Sequence, residues 1–254
     1  MLKLGLVQMS VLEGQIEENC KRIQKLVQHY AADDIDLLCF PELCISGYDF
    51  EKAALSNEEA DFFSAMAADC HIAILAGIQM SEGDRRYDVV CIWDEEGEMI
   101  GKYRKIHLWD TENDFFDKGG ELVTVPFKGW NVGLLICADY GFPEISTPLA
   151  QKKGAEIIIY PSAWGAGWED LFTTCSKMRA AENQVYTVAL NRACGDVQYC
   201  GNTTVSNPDG STLVRLTTTD EAYARVVLEK EKLKEARKGI PWRNMKRYEV
   251  YQNL

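Results

Sequence analysis

Apolar residues in this chain fall into short runs and helical stripes that alternate along most of its length. Lys3 to Met9 alternates and is rich in β-formers, which predicts a first strand. Residues 16–31 place Ile16, Ile23, Leu26, Val27 and Tyr30 near helical spacing and predict an amphipathic helix. Leu37 to Phe40 is a short buried strand stopped by Pro41. Ser56 to Glu59 has the form of a capping box ahead of a helix over 57–69, and Ile72 to Met80 follows as a strand. Tyr87 to Trp93 and Glu98 to Ile106 flank the turn Asp94-Glu95-Glu96-Gly97 as a hairpin. A strand over 131–136 leads to Cys137 and a helix over 143–152. Ile157 to Tyr160 is a strand ended by Pro161, and helical spacing resumes over 169–183. Val185 to Asn191 is a strand. Thr203 to Ser206 and Ser211 to Leu216 bracket the turn Asn207-Pro208-Asp209-Gly210. Ala222 to Val227 is the last strand, followed by a charged helix over 228–238 and a basic, aromatic tail.

Hairpins mixed with β–α–β units require sheets of mixed direction, each covered by helices on one face. Two such layers packed sheet to sheet account for the many continuous apolar runs. The expected class is α/β. No linker, internal repeat or low-complexity stretch breaks the chain, so residues 1–254 are read as a single domain.

Composition adds exclusions. Of 254 residues, 46% are hydrophobic and 26% charged, as in globular enzymes. The net charge of −12 argues against nucleic acid and anionic membrane as partners. Nine cysteines without a C-x-x-C, beside only three histidines, make neither a zinc site nor a disulfide framework expected. The first residues, MLKLGLVQMS, do not have the form of a signal peptide, and no apolar run is long enough for a bilayer. A reducing, cytoplasmic compartment is expected.

Three segments carry chemistry. GLLICADYGFPE ends an apolar run in Cys137, where a strand gives way to a turn and helix. LLCFPEL presents Glu42 after another apolar run, and YRKIHL presents Lys105. A cysteine in an apolar run is often only a small hydrophobe, as expected for Cys39, Cys70 and Cys91. Cys137 differs by ending its run, where a helix N-terminus or a cation would lower the thiol pKa. Spacing leaves both readings open. Glu42 is either a turn glutamate or a carboxylate whose apolar flanks raise its proton affinity, as suits a base for a thiol. In strand alternation Lys105 shares the face of Tyr103. If Tyr103 points inward, Lys105 is buried and needs a carboxylate, with Glu42 and Glu112 as candidates.

These segments resemble the three signatures of the nitrilase, or carbon–nitrogen hydrolase, superfamily, in their usual order. ENDFFDKGG with Glu112, PSAWGAGWEDL, RAAENQVYTVALNR, SNPDGS and WRNMKRYEVY resemble further family segments, so the likeness spans nearly the whole chain. The resemblance implies a four-layer αββα sandwich and a Glu–Lys–Cys triad. In it Glu42 is the general base, Cys137 the nucleophile, and Lys105 with the Ala138 backbone N–H the oxyanion donors. Glu112 is a second carboxylate holding Lys105 or substrate. It implies hydrolysis of a non-peptide carbon–nitrogen bond through a thioester, with no cofactor or metal needed. A small aliphatic amide is the first expectation, then an N-carbamoyl amine, then a nitrile, with a non-catalytic binding relative as the other class. Some relatives that cleave carboxylate-bearing substrates place an arginine two or three residues past the cysteine. Here Asp139 and Tyr140 stand there, so a neutral or cationic substrate is expected unless Arg179 or Arg192 supplies the cation. Tyr48 and Trp164, with Asp139 and Tyr140, are candidate substrate contacts. Trp164 and Trp168 suit a pocket wall or plain packing equally. The family likeness also implies a homodimer, or a larger assembly, through helices 143–152 and 169–183.

Overall fold

The computed structural model describes residues 1–50 and 58–251. In chain order the elements are β1 (Leu2–Gln8), α1 (Ile16–Tyr30), β2 (Leu37–Cys39), α2 (Glu58–Cys70), β3 (Ala73–Glu82), β4 (Arg85–Trp93), β5 (Met99–Arg104), α3 (Glu112–Phe115), β6 (Val123–Phe127) and β7 (Trp130–Leu134). A 3-10 turn over Cys137–Gly141 precedes α4 (Pro143–Gln151), β8 (Ile157–Ser162), α5 (Glu169–Asn183), β9 (Tyr186–Asn191), β10 (Thr204–Ser206), β11 (Thr212–Arg215) and β12 (Ala222–Leu228). Three helices close the described residues: α6 (Lys230–Gly239), α7 (Trp242–Met245) and α8 (Tyr248–Tyr251). The expected capping box at Ser56 lies outside the described residues.

Two six-stranded sheets form, ordered β12-β1-β2-β3-β4-β5 and β11-β10-β9-β8-β7-β6. Each has three parallel strands in its interior, β1-β2-β3 and β7-β8-β9, extended on both sides by antiparallel ones. The two sheets thus share one strand plan, although no repeat is legible in the residues.

Alternation assigns the faces of the first sheet. Leu4, Leu6, Leu37, Cys39, Leu75, Val90, Ile92 and Tyr103 join a core shared with Val125, Val132 and Leu134 of the second sheet. Their neighbours Val7, Leu38, Ile74, Ala76 and Val89 instead pack with Ile23 and Val27 of α1 and Phe63 of α2. Helices α4 and α5 supply Leu149, Ala150 and Phe172 to the core around the second sheet. The result is the expected four-layer αββα sandwich. No helix among the described residues is long and apolar enough to cross a membrane.

The structure departs from the sequence reading at β6, at the end of β8 and at the short helices α3, α7 and α8. Strand β6 was not foreseen: Pro126 interrupts its pattern, yet β6 is a sheet edge, where a missing N–H is tolerated. Lys128 and Gly129, with φ of 43° and 78°, turn the chain tightly into β7. Strand β8, expected to stop at Tyr160, runs through Pro161 to Ser162. Ile159 bonds toward the β7 side through Leu135, and Pro161, two residues on, faces the same side after β7 has ended. Its missing N–H therefore costs no ladder bond.

Candidate active site

Glu42, Lys105 and Cys137 come from three strand ends on the two sheets. Glu42 follows β2, where Phe40 N–H still bonds Leu75 O at 2.8 Å and Gly77 N–H bonds Pro41 O at 3.2 Å. A Cβ on Gly77 would sit 2.5 Å from the Glu42 Cα, so the absent side chain is what lets this segment lie against β3. Lys105 follows β5 and is tied to β4 by its N–H to Asp88 O at 2.9 Å. It is fully buried, as is Tyr103 two residues before it. Cys137 follows β7 with φ of 38°, a left-handed conformation that costs roughly 1–2 kcal/mol outside glycine.

Asp139 holds that turn and joins the two sheets. One oxygen accepts from Ile136 N–H at 3.0 Å and from the Tyr103 hydroxyl at 2.7 Å. The other accepts from His107 N–H at 3.0 Å and pairs with His107 Nδ1 at 2.8 Å. The Lys105 segment and the Cys137 turn are thereby pinned together.

Around Lys105 the polar groups converge. Its Nζ lies 2.5 Å from Glu42 Oε1, 2.7 Å from Glu112 Oε1 and 3.1 Å from Asp88 Oδ2, and all four side chains are fully buried. Single oxygens of the three carboxylates fall within 4.8 Å of one another, as they would around a cation, and the cation among them is this ammonium. Glu112, at the start of α3, also accepts from the Tyr48 hydroxyl at 2.9 Å and from Trp109 N–H at 2.8 Å. Arg192, itself fully buried, grips the backbone carbonyls of Glu42 at 2.9 Å and Leu43 at 2.8 Å.

The electrostatics differ from the sequence reading in two places. Burial pushes the Glu42 carboxyl up, but the charge and hydrogen bond of Lys105, with the charge of Arg192, outweigh it, and the group is held below its ordinary value. Apolar flanks alone do not describe that environment. Of the two open readings of Cys137, the lowered thiol is not the one found: burial and Glu42 push its pKa well up, against the opposing pull of Lys105 and the Ala163 backbone amide. Burial likewise raises Asp88 and Glu112, each against the pull of Lys105.

Of this group, Cys137 alone reaches the wall of an adjacent cavity of about 720 Å³. Tyr48, Ala138 and Trp164, among the candidate contacts, line it with Ala163, Trp168, Leu171, Phe142 and Leu108. Asp139 and Tyr140 do not line it. Asp139 is committed to the turn, and Tyr140 packs against Tyr160 at 4.2 Å and Phe172 at 5.8 Å. Arg179 bonds the Tyr140 carbonyl and Glu182, and Arg192 is engaged as above, so neither points a free guanidinium at the cavity. Lys118 and His107 add basic side chains to the wall beside Trp109, Trp164 and Trp168.

The carbon–nitrogen hydrolase family profile matches residues 3–238. The chain belongs to the carbon–nitrogen hydrolase family. It is 31% identical over 250 residues to an (R)-stereoselective amidase of Pseudomonas sp., covering 95% of this chain and 90% of the relative. It is 30% identical over 233 residues to a nitrilase of Pyrococcus abyssi, covering 87% of each. The crystal structure of Saccharomyces cerevisiae Nit3, a nitrilase-superfamily member, superposes with a TM-score of 0.86 at 27% identity over 94% of each chain.

Sequence reasoning passed over Asp88 and the Ala163 backbone. Asp88 carried a signal: an acid inside the run Tyr87-Asp88-Val89-Val90, on the same strand face as the core residues Val90 and Ile92. Ala163 carried none, because a backbone N–H is the same in every residue.

Proposed function

We propose that this hydrolase is an amidase that cleaves a small amide through an acyl group carried on Cys137. The observation that carries the reading is a buried thiol at the cavity wall, its pKa pushed up by burial, with the Glu42 carboxyl held down by Lys105 in contact at 2.5 Å. A thiol in that state needs a base before it attacks.

Glu42 takes the thiol proton as sulfur bonds to the amide carbonyl carbon. The oxyanion that forms is stabilised by the Lys105 ammonium and the Ala138 backbone N–H, and Glu112 keeps Lys105 in position. Glu42 then returns the proton to the departing ammonia, leaving a thioester on Cys137. Water, deprotonated by Glu42, attacks the thioester and releases the acid. Tyr48 and Trp164 sit where the acyl group would lie. The broad apolar wall fits an uncharged acyl chain, and among the described residues no arginine lines the cavity to clamp a carboxylate. The relative named as an amidase supports the amide over the nitrile, although the relative named as a nitrilase keeps that bond in the comparison.

A homodimer through α4 and α5 belongs to the same reading and is checked by sedimentation. All nine cysteines are unpaired, which fits a reducing cytoplasm.

The deciding experiment is ammonia release from a matched panel of short amides, N-carbamoyl amines and nitriles. Fastest turnover on the amides is expected. Carbon dioxide appearing with ammonia from the carbamoyl compounds at a higher rate, or preference for the nitriles, would replace the amide assignment.

A further inference from the structure

The polar groups around Lys105 do not balance. Three carboxylates and one ammonium are sealed together at zero exposure. Glu112 is satisfied, with Lys105 and Tyr48 on one oxygen and Trp109 N–H on the other. Glu42 Oε1 takes the direct hydrogen bond from Lys105. Glu42 Oε2 and both oxygens of Asp88 receive no hydrogen bond, although Asp88 Oδ2 is within ion-pair reach of Lys105. A buried carboxylate oxygen without a donor costs about 1–3 kcal/mol or more. A single proton removes most of that debt if it lies between Asp88 and Glu42. Asp88 would then donate and Glu42 Oε2 accept, and the cluster would lose one negative charge.

The donors decide which acid holds it. Glu42 has the shortest contact with Lys105 and has Arg192 bound to its own backbone carbonyl. Glu112 has three donors. Asp88 has the weakest claim on the ammonium and no other donor, so its ionised form is the least supported. We propose that Asp88 is a neutral carboxylic acid in the resting protein, donating its proton to Glu42 and so fixing the orientation and strength of that base. This rests on the assignment of Glu42 as base in the amidase reading. Burial, opposed by Lys105 and reinforced by the charges of Glu42 and Glu112, pushes Asp88 in the same direction.

The consequence is a positioning role. With Oε2 already accepting a hydrogen bond, the Glu42 carboxylate cannot swing, and its affinity for a further proton falls. A base tuned in this way takes the Cys137 proton into the transition state and gives it up readily to the leaving amine. The other charged or titratable groups facing the pair are Lys105, Glu112, Cys137, Arg192, Tyr48 and Tyr199, and none of them supplies a hydrogen bond to the orphaned oxygens.

The test is infrared spectroscopy of the resting protein at neutral pH, with carbon-13 placed in the aspartate carboxyls. A carboxylic-acid carbonyl band that shifts with the aspartate label, and is missing from Asp88→Asn, is expected. Absence of such a band, its persistence in Asp88→Asn, or its movement with labelled glutamate instead would overturn the proposal. Because this reads the free protein, it stands or falls apart from the amidase reading. Kinetics supply the second arm. Asp88→Asn keeps an uncharged donor beside Glu42 and should stay within about tenfold of the parent kcat, while Asp88→Ala should lose about 10- to 100-fold in kcat with little change in KM. Equal losses in both variants, or none in Asp88→Ala, would contradict the positioning role.

Discussion

Two buried cations meet Glu42 from different sides, and they are built on opposite principles. Arg192 bonds the carbonyls of Glu42 and Leu43, the Glu13 carboxylate and the Tyr199 hydroxyl, and its guanidinium lies 5.1 Å from the rings of both Tyr48 and Tyr199. Every acceptor in that network has a donor, and the Tyr199 hydroxyl closes it by donating to Glu13 at 3.1 Å. Lys105 stands among more carboxylate oxygens than it has protons, and some are left bare. A balanced network holds backbone in place. An unbalanced one leaves room for a proton to move, and that is the network next to Cys137.

The largest effect should come from the unbalanced side. Lys105→Met removes the only ammonium among the three carboxylates, and turnover should fall by about three orders of magnitude or more. Breaking one partner of a buried ion pair should also cost about 3–5 kcal/mol of stability. Acids whose folded pKa is raised are best tolerated when protonated. The stability penalty, read from urea unfolding, should therefore be heavier at pH 8 than at pH 5. A variant as active as the parent would remove Lys105 from the chemistry.

Arg192→Met should reverse the balance of losses. Its unfolding free energy should drop by about 3 kcal/mol, since Glu13 and two backbone carbonyls lose a buried partner. Turnover per folded molecule should fall only about tenfold, because the guanidinium holds the Glu42 backbone and not the reacting atoms. A kinetic loss matching that of Lys105→Met would erase the distinction between the two networks.

Glu59 offers the smallest kinetic effect and a clean control, a buried carboxylate with no ion-pair partner among the described residues. Burial pushes its pKa from 4.5 up to about 7, against the hydrogen bond from the Gln79 backbone N–H. The folded state holds the proton more tightly than the unfolded chain. The resulting stabilisation is complete below pH 4.5 and is lost as the pH rises to about 7. Glu59→Gln should leave turnover unchanged and remove about 3 kcal/mol of the stability difference between acidic and alkaline pH, measured by denaturant midpoints. An unaltered pH slope would mean that Glu59 ionises normally.

Much of this was legible in the residues, for identifiable reasons. Strand β4 and helix α5 follow their apolar spacing closely, and Tyr103 does lead Lys105 into the interior by simple alternation. What escaped was set by partners far away in the chain. The depressed Glu42 carboxyl depends on Lys105 and Arg192, and the raised Cys137 thiol depends on how deeply the second sheet covers it. Asp139 looked exposed to substrate because it follows the cysteine, yet Tyr103 and His107 of the other sheet claim both of its oxygens. Strand β6 was hidden by Pro126, whose tolerance at that place is a property of the sheet edge and not of the local pattern.

The central claim is that acyl transfer runs through one of nine unpaired cysteines, the buried thiol at position 137. The most direct measurement is to quench the enzyme in acid during turnover of a slowly hydrolysed amide and map the peptides by mass. The account predicts the acyl mass on the peptide holding Cys137 and none in Cys137→Ala. Steady turnover with the acyl group on another cysteine, or with no adduct and full activity in Cys137→Ala, would contradict it.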